Sequence, residues 1–379
     1  MNQKNRCSTC LPPIISSKLP TPMRLEILDL PALDSRPSGF ENGPRSIGAV
    51  RVLRISVTDR CNYRCLYCMP ADGVRWLPEI LSDENIVEIV KAAVDAYGIS
   101  RFKLTGGEPT IRPGLIELVA KLAQIDGVTD LSLTTNGQRL AGMAKDLRAA
   151  GLRRLTVSLD SLQPEKFKRI TRTGDLSAVL AGIEAARAAQ FESIKINCVT
   201  MRGVNDDEFV DFARLTLQQP LTMRFIEYMP LGEAELMESG PSAGCGGQDR
   251  GADSLVPETE VRAKIESELG ELLPVQRESE AGVGPANVWR LSNGVGRIGF
   301  ISAMSQPFCA TCNRLRLTAD GLLRSCLFEG GEVDIKPILR DIPAGRRSAA
   351  LAQAMADCVR LKPELHSKHG NQQMSRIGG

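Results

Sequence analysis

Between residues 53 and 68 the chain reads Leu53-Arg54-Ile55-Ser56-Val57-Thr58-Asp59-Arg60-Cys61-Asn62-Tyr63-Arg64-Cys65-Leu66-Tyr67-Cys68. Its first half ends an expected strand over residues 51–57, and its second half sets three cysteines at C-x3-C-x2-C spacing directly after that strand. Three thiolates suit a cubane 4Fe–4S cluster, whose fourth iron then stays open to a further ligand. Zinc asks for four nitrogen or sulfur ligands, and no fourth lies adjacent. Cys61, Cys65 and Cys68 are therefore read as cluster ligands in a loop at the C-terminal end of a strand.

Outward from this loop, β-rich runs alternate with amphipathic ones. Strands are expected over 51–57, 101–104, 131–134, 154–158, 193–199 and 222–227. Helices are expected over 82–97, 113–124, 141–150, 176–190 and 206–218. In the first of these Ile86, Ile89, Val90, Ala93 and Val94 share one face, and Ser82 is placed to cap it. Six strand–helix units imply a parallel sheet, two units short of an eight-stranded barrel, with chemistry at the C-terminal ends of the strands. The fold expected is α/β: an incomplete (β/α)6 TIM-type barrel over 46–230, after a flexible arm over 1–45. Past Pro230 the pattern changes. Residues 232–254 are rich in Gly, Ser and acidic side chains and read as a linker; a helix over 258–269 and a β-like stretch over 288–301 follow. Residues 231–379 are read as a C-terminal α+β domain.

That region carries a second three-cysteine group, Cys309-Ala310-Thr311-Cys312 with Cys326 fourteen residues on. Between its cysteines runs Asn313-Arg314-Leu315-Arg316-Leu317. As a strand this places Arg314 and Arg316 on one side, and paired guanidiniums beside a cluster suit a polyphosphate or a carboxylate. Lys103, Lys195 and Arg224 fall within expected barrel strands, where a buried cation calls for an anionic partner.

Composition narrows the chemistry. Among 379 residues there are 11 cysteines and only two histidines, His366 and His369. Zinc–histidine chemistry and Ser–His or Cys–His catalysis therefore lack material, while an odd, dense cysteine count without a secretory signal points to metal rather than disulfides. A net charge of +2 gives no support to nucleic-acid or membrane partners. Cys7, Cys10, Cys198, Cys245 and Cys358 are given no role and are read as buried or unpaired thiols.

The cysteine loop with aromatic Tyr67 before its last cysteine, and Gly106-Gly107-Glu108-Pro109 at the end of the second strand, resemble the radical S-adenosylmethionine (SAM) superfamily. A narrower resemblance is carried by Leu53 through Cys61, Leu104 through Pro109, Leu133-Thr134-Thr135-Asn136-Gly137 and Val157-Ser158-Leu159-Asp160. It continues in Arg224-Phe225-Ile226-Glu227-Tyr228-Met229-Pro230, in Phe308 through Arg316 and in the terminal Gly378-Gly379. Together these segments resemble the MoaA-type GTP 3′,8-cyclases of molybdenum-cofactor biosynthesis, while residues 232–254 and the stretch after Arg340 diverge from that pattern.

The resemblance implies two 4Fe–4S clusters, one on Cys61, Cys65 and Cys68 and one on Cys309, Cys312 and Cys326, with SAM contacted by Tyr67, Gly107, Ser158 and Met229. It implies GTP contacts from Arg54, Lys103, Thr134, Lys195, Arg224, Arg314, Leu315 and Arg316. Arg54, Arg314, Arg316, Gly378 and Gly379 are implied to serve catalysis. The implied reaction takes hydrogen from C3′ of GTP and joins C3′ to C8. Implied partners are a flavodoxin- or ferredoxin-like reductant, a downstream cyclic pyranopterin monophosphate synthase and a second copy of the chain, in the cytoplasm unless residues 1–45 hold an organelle presequence. Two other readings stand beside this one: a different radical SAM enzyme with an auxiliary cluster, such as a peptide-modifying enzyme, and a zinc-bound interaction module.

Overall fold

The structure is a computed structural model that describes residues 43–231, 254–276, 284–329 and 331–366. Gly378 and Gly379, Cys7, Cys10 and Cys245, almost all of the expected linker, and the arm before residue 43 lie outside the described residues.

Six strands run in chain order through the centre of one sheet: β1 (Val52–Ser56), β2 (Arg101–Thr105), β3 (Asp130–Thr135), β4 (Arg154–Ser158), β5 (Ser193–Thr200) and β6 (Thr222–Glu227). All are parallel to their neighbours in this run. The expected strands agree with these to within one residue at either end. Helices α1 (Asp83–Tyr97), α2 (Leu115–Ala123), α3 (Ala144–Ala149), α4 (Pro164–Thr171), α5 (Leu176–Ala188) and α6 (Phe209–Gln218) lie between the strands in the chain. Ser82 does cap α1: its hydroxyl accepts from the Asn85 amide, and Asn85 reaches back in a capping box. The short α4 was not expected. Charged residues fill four of its eight positions, and only Phe167, Ile170 and Thr171 are buried.

Strand burial alternates. Leu53 and Ile55, Phe102 and Leu104, Leu131 and Leu133, Leu155 and Val157, and Ile194 and Ile196 turn to one face and join the apolar core with the helices. The other face carries Arg54, Lys103, Thr134, Thr156, Lys195 and Arg224, two residues apart along each strand from the next such position. A one-residue slip would exchange these sets, so the apolar burial is what fixes the polar lumen.

The C-terminal region adds an arrangement that strand counting did not contain. β9 (Arg297–Ile301) pairs parallel with β6, and β10 (Arg314–Leu317) pairs parallel with β1. β8 (Asn287–Leu291) and β7 (Leu272–Pro274) continue antiparallel beyond β9, and β11 (Leu322–Arg324) and β12 (Glu332–Asp334) beyond β10. The region thus extends both edges of the barrel sheet into twelve strands. The β-like stretch over 288–301 is two strands joined by a turn.

Three more helices complete the described chain: α7 (Glu258–Leu269), as expected, then α8 (Lys336–Asp341) and α9 (Ala344–Arg360). The divergent stretch after Arg340 therefore holds a seventeen-residue helix, the longest described. Leu351, Ala354, Met355 and Val359 of α9 are buried, and the Tyr97 hydroxyl of α1 donates to the Ala352 carbonyl at 2.8 Å.

Candidate active site

The cysteine loop after β1 is held by the loop after β2. The Gly107 amide donates to the Thr58 carbonyl at 2.8 Å and the Glu108 amide to the Arg60 carbonyl at 2.7 Å. Both glycines are required by this packing. A Cβ on Gly107 would lie 2.2 Å from the Arg60 oxygen, and one on Gly106, whose φ is +149°, would lie 2.3 Å from the Thr58 oxygen. Glu108 ties in the third strand: its carboxylate accepts from the Thr135 hydroxyl at 2.6 Å and the Asn136 amide at 2.7 Å. Burial raises its pKa, against the pull of these donors. Gly-Gly-Glu-Pro therefore builds the platform on which the cysteines stand.

Cys61, Cys65 and Cys68 form no disulfide, are near enough to act electrostatically on one another, and all three line a single cavity at the barrel mouth. Burial pushes the Cys61 thiol up to about 11 and holds Cys65 well above the ordinary thiol value. Thiolates there need bound cations, which irons supply. Tyr67 points its hydroxyl to Asp160 at 2.8 Å, and Asp160 also accepts from the Val199 amide at 2.8 Å. Burial raises the Asp160 carboxyl to about 6. Tyr67, Gly107, Ser158 and Met229 line the same cavity as these cysteines.

The second corner faces the same space. Cys309, Cys312 and Cys326 line the cavity, as do Arg314 and Arg316 of β10. Burial raises the Cys309 thiol. Burial would also raise Cys312, but Arg314, Lys362 and Arg316 bring it below the ordinary value. Among the described residues no three His, Cys, Asp or Glu side chains converge on one metal ion. Three thiols at each corner match the ligand number of a cubane cluster, whose fourth iron stays open to a further ligand.

Between the corners the strand register gathers the cations. Arg54 stands opposite Arg316 on one side and Lys103 on the other. The Thr156 hydroxyl accepts from Lys103 at 3.0 Å and from Arg224 at 3.3 Å. Burial, then Arg316, Arg314 and Arg224, push the Arg54 pKa well down; burial, then Arg224, Arg54 and Lys195, do the same to Lys103. Arg316 is driven down to about 9 by burial and Arg314. These shifts, set first by burial and then by neighbouring cations, mark a pocket whose crowded positive charge a bound polyanion would relieve. Thr134 Oγ1 and Asn197 Oδ1, buried in the cavity wall, have no hydrogen-bond partner among the described residues. Each such orphan costs about 1–3 kcal/mol until a ligand satisfies it.

Two expected contacts fall elsewhere. Leu315 pairs beside Leu53 on the opposite face of β10, and its side chain is fully buried in the core. Lys195 shares the inward parity but is not part of the cavity wall; it stands opposite Thr156, behind Lys103, on which its charge acts. Conversely Asn197, Asp160 and His366 line the cavity and were not picked out. Asn197 and Asp160 lie two residues beyond Lys195 and Ser158, so the alternation of the strands already pointed to them. Nothing local marks His366.

A partial parallel barrel with a three-thiol loop after its first strand defines the radical SAM class of enzymes. The Radical SAM superfamily model matches residues 55–216, and the Molybdenum Cofactor Synthesis C model matches residues 221–368. The GTP 3′,8-cyclase of Pelotomaculum thermopropionicum is 45% identical over 336 residues, 87% of this chain and 98% of that one. That of Thermodesulfovibrio yellowstonii is 43% identical over 332 residues, 86% and 97% of the two chains. This chain belongs to the GTP 3′,8-cyclase family. Among solved structures, Streptococcus suis SuiB bound to S-adenosylmethionine superposes with a TM-score of 0.51 at 11% identity, covering 82% of this chain and 68% of that one, a likeness of fold alone.

Proposed function

We propose that this chain converts GTP to (8S)-3′,8-cyclo-7,8-dihydroguanosine 5′-triphosphate, the first step of molybdenum-cofactor biosynthesis. The observation that carries the reading is the shared cavity: both three-cysteine corners and the crowded cations line one space. A peptide modifier would have no use for that cationic wall.

A 4Fe–4S cluster with SAM at the first corner supplies a 5′-deoxyadenosyl radical competent to take the C3′ hydrogen. The chain's own residues bind and orient. Cys61, Cys65 and Cys68 hold the first cluster; Tyr67, Gly107, Ser158 and Met229 receive SAM, with Asp160 fixing the Tyr67 hydroxyl. Arg54, Lys103, Arg224, Arg314 and Arg316 neutralise the triphosphate, and Thr134 gains the partner its hydroxyl lacks. Lys195 acts through its charge on Lys103, and Leu315 through its main chain. Cys309, Cys312 and Cys326 would hold a second 4Fe–4S cluster, which would offer a binding point for the guanine. Gly378 and Gly379, which lie outside the described residues, are assigned to catalysis.

The same reading divides the chain at about residue 230 and names a flavodoxin- or ferredoxin-like donor, a downstream cyclic pyranopterin monophosphate synthase, a homodimer and a cytoplasmic setting. No helix among the described residues is long and apolar enough to cross a membrane.

The cyclised product is an isomer of GTP. The C3′ hydrogen leaves with 5′-deoxyadenosine, and an electron and a proton restore the count at the ring. Anaerobic incubation of the reconstituted protein with SAM, GTP and dithionite should therefore give 5′-deoxyadenosine and a chromatographically distinct nucleotide of unchanged mass. Formation of 5′-deoxyadenosine with GTP recovered intact would refute the substrate.

A further inference from the structure

One short segment after α9 touches all three loops of the second cysteine corner. Lys362 is 4% exposed, and its ammonium donates to the Cys312 carbonyl at 3.1 Å. The His366 amide donates to the Cys309 sulfur. The His366 ring lies flat on Phe328, two residues past Cys326, with centroids 4.0 Å apart and 7° between planes. Its Nε2 meets the Ala303 carbonyl at 2.9 Å. The segment is itself held, since Arg45 Nε donates to the Lys362 carbonyl at 2.7 Å. The buried Cys358 thiol donates to the Gly331 carbonyl at 3.0 Å, which fixes the chain beyond Cys326 against α9.

A buried ammonium is costly unless something nearby uses its charge. Closing a helix end needs no cation, and an apolar side chain would fill the same space. The charged and titratable groups that act on Lys362 are the thiols of the second corner, Cys312 and Cys326, together with Cys358, and one opposing cation, Arg314. A cluster on three thiolates is anionic, and reduction adds a further negative charge. Positive charge and N–H···S hydrogen bonds favour the reduced form, and both are known levers on cluster potential.

We propose that Lys362 and His366 are positioning residues for the second cluster, bracing the Cys309, Cys312 and Cys326 loops and raising that cluster's reduction potential. This rests on the second-cluster reading above.

The test is a spectroscopically monitored redox titration of the full-length chain with Cys61, Cys65 and Cys68 replaced by alanine, so that only the second cluster contributes. Lys362→Met should shift the reduction equilibrium about tenfold toward the oxidised form, about 59 mV for one electron. Lys362→Arg should stay near the parent, because it keeps the charge. Loss of the cluster in the Met variant with retention in the Arg variant would also support the proposal. Equal potentials in all three proteins would overturn it, and so would cluster loss in both variants, which would make the role one of packing. Absence of any cluster signal in the parent would instead refute the second cluster. The reciprocal background, lacking the second corner's cysteines, should give a first-cluster potential that Lys362→Met leaves unmoved.

Discussion

Arg316 sits where three effects meet: it is buried, it stands opposite Arg54, and it lies on the strand that leads out of the Cys312 loop. Arg316→Ala should weaken GTP binding about ten- to a hundred-fold, the worth of a charge-assisted contact of roughly 1.5–3 kcal/mol. Equilibrium binding of GTP checks this, with SAM cleavage in the absence of GTP staying near wild type. Asp160 makes a prediction about pH. Its carboxyl is raised from 3.8 to about 6 by burial, against the Val199 amide and the Tyr67 hydroxyl. A raised acid contributes stability below its ordinary value and loses it as pH rises through the folded value. Asp160→Asn, which never ionises, should thus gain on the wild type between about pH 4 and about pH 7.5, by up to roughly 3 kcal/mol at about 1.36 kcal/mol per pK unit. Denaturant unfolding of both metal-free proteins at the two pH values measures it; an unchanged difference would show that Asp160 titrates normally. At this scale alternation along a strand put Arg314 and Arg316 on one side, and Lys103 and Arg224 were legible as cations within strands, whereas their meeting in one cavity with Arg54 was not. The sequence was blind to depth along a strand, which is why Lys195 falls behind the cavity wall.

The loop after β2 couples sequence to site most tightly. Gly107→Ala would drive a Cβ into the Arg60 carbonyl, and main chain cannot swing aside as a side chain can. The variant should lose the first cluster's iron, about half of the total, while retaining the second cluster. Iron and sulfide analysis decides, and full loading would show that the loop shifts without consequence. Helix α9 makes a separate prediction. Leu351 is fully buried in the core that joins α9 to the barrel, so Leu351→Ala should cost about 2–5 kcal/mol of stability, read from denaturant midpoints. Elements with an apolar face of clear period, such as α1, and strands with strict alternation were legible. α9 was not, because its six alanines satisfy many faces at once, and its packing depends on α1, some 250 residues earlier. The dual role of the glycines also escaped local reading: they serve the Thr58–Arg60 main chain before they serve any ligand.

At the scale of the molecule, six strand–helix units announced the barrel, but not that β9 and β10 would extend its edges. Edge pairing joins segments far apart in the chain, Arg54 with Arg316 and Arg224 with Gly299, and no local pattern encodes it. That pairing makes one active site out of two cysteine groups. β10 places the second group's arginines beside Arg54, and the cations between the corners become one chamber. Two clusters predict about eight irons per chain after anaerobic reconstitution, and replacing Cys309, Cys312 and Cys326 together should remove about half. The central claim is sharper, that radical formation and the sugar of GTP share this single space. It is tested most directly by supplying GTP deuterated at C3′ with SAM and reductant, and following the label by mass spectrometry. The account predicts 5′-deoxyadenosine carrying one deuterium atom, formed together with a cyclised nucleotide that has lost it; unlabelled 5′-deoxyadenosine beside GTP that keeps its deuterium would contradict it.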